Sequence, residues 1–118
     1  MKLTALAEQG DANAQFELGS KYLLELDGLP KNDLEAMKWY RKSAEQGNAM
    51  AGNMLSAMYK NGYGVPKDVV QAYMWDNLAA AQDSRFIKFR DRVKKAMTLA
   101  QIAEGDRLTH EWMQQHPK

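Results

Sequence analysis

The run Ala7-Glu8-Gln9-Gly10 returns 37 residues later as Ala44-Glu45-Gln46-Gly47. The same step carries Ala12 to Ala49, Ala14 to Ala51, Leu18 to Leu55 and Tyr22 to Tyr59. One residue is then lost in a loop. From there a step of 36 takes Gly28, Pro30, Lys31, Ala36, Trp39 and Ala44 to Gly64, Pro66, Lys67, Ala72, Trp75 and Ala80. Coincidences this numerous at one spacing make a repeat, and a repeat decides the architecture before any single element does.

Each unit reads as two helices. Ala14, Leu18 and Tyr22 fall at i, i+4 and i+8, as do Ala51, Leu55 and Tyr59, so each trio forms one stripe of a 3.6-residue helix. Gly28 to Pro30 and Gly64 to Pro66 break that helix, because proline cannot continue it and glycine tolerates the turn. Asn32 with Glu35, and Asp68 with Gln71, have capping-box spacing and announce a second helix. Its buried stripe holds Ala36 and Trp39 in one copy, Ala72 and Trp75 in the other. Gly47 suits a left-handed C-cap, and the matching Gly10 makes residues 1–10 the end of a preceding repeat helix. Asn61-Gly62 would mark a hairpin between strands, but its helical surroundings make it a helix end. The expected organisation is a single all-α domain over 1–118, with repeat 1 at 11–47, repeat 2 at 48–83 and capping helices at 84–118.

The C-terminal part is not a clean third copy. A helix over 84–97 would carry Phe86, Phe89, Val93 and Met97 on one stripe, yet the repeat step places Asp91 and Lys95 where Leu55 and Tyr59 are buried. That helix must rotate or slip. Thr98 and Gln101 form another capping box, opening a last helix whose expected apolar face is Leu99, Ile102, Trp112 and Met113. Gly105 interrupts it at a cost of roughly 1 kcal/mol relative to alanine, a cost that close packing would explain. Such helices seal the open face that a repeat array otherwise leaves.

Composition narrows function further. The 118 residues hold 16 basic and 15 acidic side chains, two His and no Cys, with 45% hydrophobic residues. A domain of this length buries roughly 65% of its unfolded surface, so a core needs no staples. Without Cys there are no disulfides, thiolate metal sites or cysteine nucleophiles. A net charge of +1 argues against duplex binding, and no apolar run approaches the ~20 residues of a membrane span. Four Ser are present, none in a Gly-x-Ser-x-Gly elbow and none with a His inside the repeats to act as base. Asp106 and His110 at i, i+4 lack a third convincing ligand, so no metal is expected. No cofactor, catalytic residue or phosphate loop is expected either. Arg85, Lys88, Arg90, Arg92, Lys94 and Lys95 form a basic cluster interleaved with Phe86 and Phe89. They suggest an alternative role in binding nucleic acid or an anionic membrane through helix 85–95, though charges opposite an apolar stripe are the usual solvated pattern.

The residues Ala14, Leu18-Gly19, Tyr22, Gly28, Pro30, Ala36, Trp39, Ala44 and Gly47 resemble the Sel-1-like repeat family, relatives of the tetratricopeptide repeats. The second copy repeats the resemblance through Ala51, Leu55, Tyr59, Gly62, Gly64-Val65, Asp68, Ala72, Trp75 and Ala79-Ala80. Ser56 departs from the pattern by replacing the small glycine after the repeat leucine, and Asp83 by replacing the closing glycine. Arg90-Asp91, Met97-Thr98, Gln101-Ile102-Ala103 and Glu111-Trp112 are similar to the helical ending common in bacterial members.

The resemblance implies an alpha-alpha superhelix, a right-handed solenoid of helix-turn-helix repeats, acting without chemistry of its own as a protein-interaction adaptor. It also implies that the face opposite the inward stripe lines a concave groove: Asn13, Phe16, Ser20 and Leu23 in the first copy, Met50, Asn53, Ala57 and Lys60 in the second. Phe16 and Leu23 would anchor a protein or peptide partner, or else pack on the neighbouring repeat. Asn53 and Lys60 would donate to a peptide carbonyl or carboxylate. Met54 and Met58 read as inter-repeat core, Met50 as bordering both surfaces. An incompletely covered N-terminal edge allows a homodimer. A cell-wall or β-lactam-related hydrolase is the least favoured role, for want of Ser-x-x-Lys and Cys. The sequence leaves the compartment open: the cytoplasm is the default, and the periplasm or exterior follows if an upstream export signal is missing from this chain.

Overall fold

Five polar side chains start the main helices of the computed structural model, which describes residues 2–26, 28 and 30–117. Asp11 accepts from Ala14 N at 2.8 Å, Asn32 from Glu35 N at 3.1 Å and Asn48 from Ala51 N at 2.9 Å. Asp68 accepts from Val70 N and Gln71 N, and Thr98 closes a two-way capping box with Gln101. Each bond satisfies an amide that the first helical turn leaves without a partner. The resulting helices are α1 (Lys2–Glu8), α2 (Ala12–Leu24), α3 (Asp33–Glu45), α4 (Ala49–Asn61), α5 (Val69–Gln82), α6 (Ile87–Lys95) and α7 (Leu99–Gln115). A 3-10 turn, Ser84–Phe86, precedes α6.

Glycines serve two of the helix ends as expected, but α2 stops ahead of the Gly28 to Pro30 break, with Glu25 in the left-handed region at φ +57°. Gly62 caps α4 at φ +77°, and Gly47 turns the chain from α3 into α4 at φ +93°. Asp83, standing where the first copy has Gly47, adopts an extended backbone instead and caps the 3-10 turn through a bond from Arg85 N. The expected helix over 84–97 is therefore shorter and divided, because the Asp83 cap winds the first turn tightly. Leu29, within the expected Gly28 to Pro30 break, lies outside the described residues.

Neighbouring helices pack in sequence, α1 on α2 through to α5 on α6, and α7 returns onto α5. Three core clusters follow. Leu18, Ala14 and Trp39 pack with Ala7 of α1; Leu55, Ala51 and Met58 pack with Ala36, Tyr40, Met74 and Trp75; Tyr73, Ala72 and Val93 seal the C-terminal end. Leu18 and Leu55 are each 1% exposed, so both inward stripes face as the periodicity requires. Met58 is buried and Met54 half-buried against the central cluster, the inter-repeat role expected of them, while Met50 stays 50% exposed. Polar latches tie the layers: Ser43 Oγ donates to the Ala12 carbonyl at 2.7 Å, and Gln15 bridges the Ala7 carbonyl and Gln46.

The last helix differs from its expected face. Ile102 and Trp112 pack inward, but Leu99 is 86% exposed and Met113 42%. Leu99 is the first residue after the cap, where the helix has not yet reached its neighbours. Gly105 is buried against Tyr73: a Cβ there would lie 2.4 Å from the ring Cδ2. Close approach is thus the reason for this glycine.

Candidate interaction surface

The eight residues expected on the outer face of α2 and α4 separate into two groups. Asn53, Ala57 and Lys60 line one cleft of about 160 Å³ with Ser56, Asp76, Phe89, Arg92 and Val93. It is bounded by α4, α5 and α6. Asn13, Phe16, Ser20, Leu23 and Met50 do not line it. Phe16 is half-buried, its ring centroid 5.6 Å from that of Tyr40, and Leu23 packs against the central cluster. Ser20 shares a 2.9 Å hydrogen bond with the Tyr40 hydroxyl. Asn13 is exposed and its Oδ1 accepts from Asn48 Nδ2 at 3.4 Å. Part of the apolar surface of Phe16 and Leu23 is therefore already covered by the chain itself.

The cleft contains a residue that periodicity alone misses. Asp76 sits on the inward side of α5, only 1% exposed, and accepts from Ser56 Oγ at 2.7 Å and Asn53 Nδ2 at 3.1 Å. Burial pushes its carboxyl above the ordinary carboxylate range, while the bonds from Ser56 and Asn53 and the nearby Lys60 ammonium draw it partly back. Two signals in the sequence mark it. Ser56 departs from the repeat pattern, and the 36-residue step aligns Asp76 with Tyr40.

Within the basic stretch of the 3-10 turn and α6, two arginines are paired with carboxylates and two further cations lie near an aromatic ring. Arg85 pairs with Asp83 at 2.6 Å and Arg90 with Asp91 at 2.9 Å, and Lys88 and Arg92 lie 5.5 and 5.7 Å from the Phe89 ring centre. Phe86 is buried and Phe89 half-buried, so neither ring stands free as a stacking platform. Asp106 accepts from the Tyr73 hydroxyl at 2.7 Å and from Asn77, and His116 stacks on Trp112 at 3.8 Å. Among the described residues no group of three or more His, Asp or Glu could hold a metal. No described helix is long and apolar enough to cross a membrane.

A second cleft, about 330 Å³, opens where the α3–α4 turn meets α5 and the end of α7, floored by Trp75, Leu78, Ala79 and Trp112. None of the eight expected groove residues lines it.

Comparison with known proteins places this geometry. A chitin synthase regulator of Malassezia restricta is 40% identical over 70 residues, 58% of this chain and 5% of the regulator. Chitin synthase regulatory factor 3 of Schizosaccharomyces pombe is 37% identical over 93 residues, 78% of this chain and 10% of that factor. Among solved structures, a protective antigen of uropathogenic Escherichia coli strains with an SLR fold superposes with a TM-score of 0.88 at 30% identity, covering 97% of this chain and 25% of the antigen. The chain thus spans a tenth or less of the two fungal regulators and a quarter of the antigen. The Sel1 repeat model matches residues 12–48 and 49–84, the two helix pairs built from α2 to α5. With both matched pairs stacked as the sequence step requires, the chain belongs to the Sel1 repeat family.

Proposed function

We propose that this chain is a non-catalytic interaction module that docks a segment of a partner protein along the outer face of α2 and α4. The observation that carries the reading is the gathering of Asn53, Ala57 and Lys60 in one cleft. These residues come from successive turns of one helix, so a segment lying across them meets amide, methyl and ammonium groups together. Phe16 and Leu23, outside this cleft, keep part of their apolar surface accessible and would supply contact area on α2, with Asn13, Ser20 and Met50 as further contacts of the docked segment. Two of the similar proteins are named regulators, which accords with an adaptor role. The absence of a nucleophile–base pair in the sequence accords with it too.

The test is selection of a random dodecapeptide display library on the immobilised chain. Binders are expected whose affinity falls in Phe16→Ala and in Lys60→Glu, with the fold of each variant checked by circular dichroism. Binders indifferent to both substitutions would refute this placement of the surface. Failure to select any binder would refute the adaptor reading itself.

A further inference from the structure

The two repeats solve the same packing position with opposite chemistry. In the first, Phe16, Gly19 and Tyr40 make an apolar plug: the Tyr40 ring lies so close to Gly19 that an added Cβ would meet its Cδ1 at 3.0 Å, and Phe16 leans on the same ring. The equivalent residues of the second repeat are Asn53, Ser56 and Asp76. All three are polar, and Asn53 and Ser56 both donate to Asp76. Burying a carboxylate costs stability even when it is hydrogen-bonded, and an aromatic residue is accommodated at the equivalent site one repeat earlier. Packing therefore does not demand Asp76.

Replacing the ring by a short carboxylate leaves the 160 Å³ cleft, and two cations stand at it. Lys60 and Arg92 are exposed, and among the described residues neither has a carboxylate within ion-pair distance. Asp76 also lines the cleft, with its two carboxylate oxygens held by Asn53 and Ser56 and the Lys60 ammonium nearby. Asn53 uses one amide N–H on Asp76 and has a second to give. Phe89 and Val93 supply an apolar wall. A short aliphatic stem ending in a carboxylate matches this lining: methylenes against Phe89 and Val93, oxygens toward Lys60, Arg92 and the Asn53 amide.

We infer that the second-repeat cleft is a receptor for one Glu or Asp side chain of the docked polypeptide, with Lys60 and Arg92 as its charge partners and Asp76 as the residue that positions Asn53. This rests on the docking role proposed above and specifies the chemistry it selects. A lysine or arginine at the same point of the partner would meet two like charges and be rejected.

The experiment extends the library selection to Lys60→Gln and Arg92→Gln, whose exposed side chains leave the core untouched. Selected peptides are expected to share an acidic residue at one fixed position. In fluorescence anisotropy, changing that residue to Gln weakens binding about ten- to hundredfold, the range of a charge-assisted hydrogen bond. Lys60→Gln and Arg92→Gln each produce a loss of similar size, and in the double variant the peptide's Glu→Gln change has little further effect. Binders with no acidic preference, or acidic binders unaffected by both variants, would overturn the inference while leaving the adaptor reading intact. A wild-type chain that selects no peptide at all would overturn both.

Discussion

Gly105→Ala sets helix propensity against packing. On propensity alone the substitution stabilises a mid-helix position by about 0.8–1 kcal/mol. The structure reverses the sign. The new methyl carbon would sit 2.4 Å from Tyr73 Cδ2 and 3.0 Å from Cε2, where carbon atoms prefer about 3.5–4.0 Å. The ring must retreat by about 1 Å. It has nowhere cheap to go: Tyr73 is 2% exposed, packs with Ala72 and Val93, and is tethered by its hydroxyl to Asp106 one residue beyond the glycine. Overpacking of this kind costs about 1–3 kcal/mol, and loss of the hydroxyl bond about 0.5–1.5 more. After the propensity gain, the net is about 0.5–3.7 kcal/mol destabilising. At about 4 °C per kcal/mol for a chain of this size, the Tm should fall by about 2–15 °C. Thermal unfolding followed at 222 nm reads this directly. The penalty should shrink in a Tyr73→Leu background, which removes the ring the methyl strikes. A variant that melts at or above the wild-type temperature would refute the α5–α7 packing described here.

Two further expectations concern the core. Leu18→Ala and Leu55→Ala each remove a fully buried side chain and should cost about 2–5 kcal/mol; a melting temperature within a degree or two of wild type would show the inward stripes misassigned. For Asp76, burial raises the carboxyl above its ordinary value of 3.8, so the folded state holds the proton more tightly than the unfolded one. Its favourable contribution is then complete below the unfolded value and is lost as pH rises through the folded value. Urea titrations of wild type and Asp76→Asn should accordingly show the wild type losing ground to the variant as pH rises above the ordinary carboxyl value of 3.8, and an opposite trend would mean that hydrogen bonding outweighs desolvation.

The repeat made most of the fold legible. Once Ala7–Gly10 is matched to Ala44–Gly47, the stripes through Leu18 and Leu55 follow from periodicity, because both helices bury the same face in the same way. The C-terminal helices were less legible since no second copy existed to align them with. Leu99 looked like part of an apolar face, yet hydropathy cannot show that the first turn of α7 projects past its neighbours. Gly105 was recognisable as an interruption, but only the Tyr73 ring beside it gives its cause. On the outer face, helical geometry brought Asn53, Ala57 and Lys60 together, since residues three and four apart share a side. It did not reveal Asp76, which belongs to another helix and sits at a position where hydrophobic patterning expects a core residue. Phe16 and Leu23 were ambiguous for the complementary reason: a half-covered apolar side chain has the same letter whether it meets its own neighbours or a partner.

The pairing of Gly19 with Tyr40 in one unit and of Ser56 with Asp76 in the other also limits exchange between them. A tyrosine opposite Ser56 would meet a Cβ where Gly19 offers none, while an aspartate opposite Gly19 would lose the hydroxyl that now satisfies it. A chimaera that swaps α4 or α5 alone between the units would therefore carry a mismatched contact that a swap of the whole helix pair avoids.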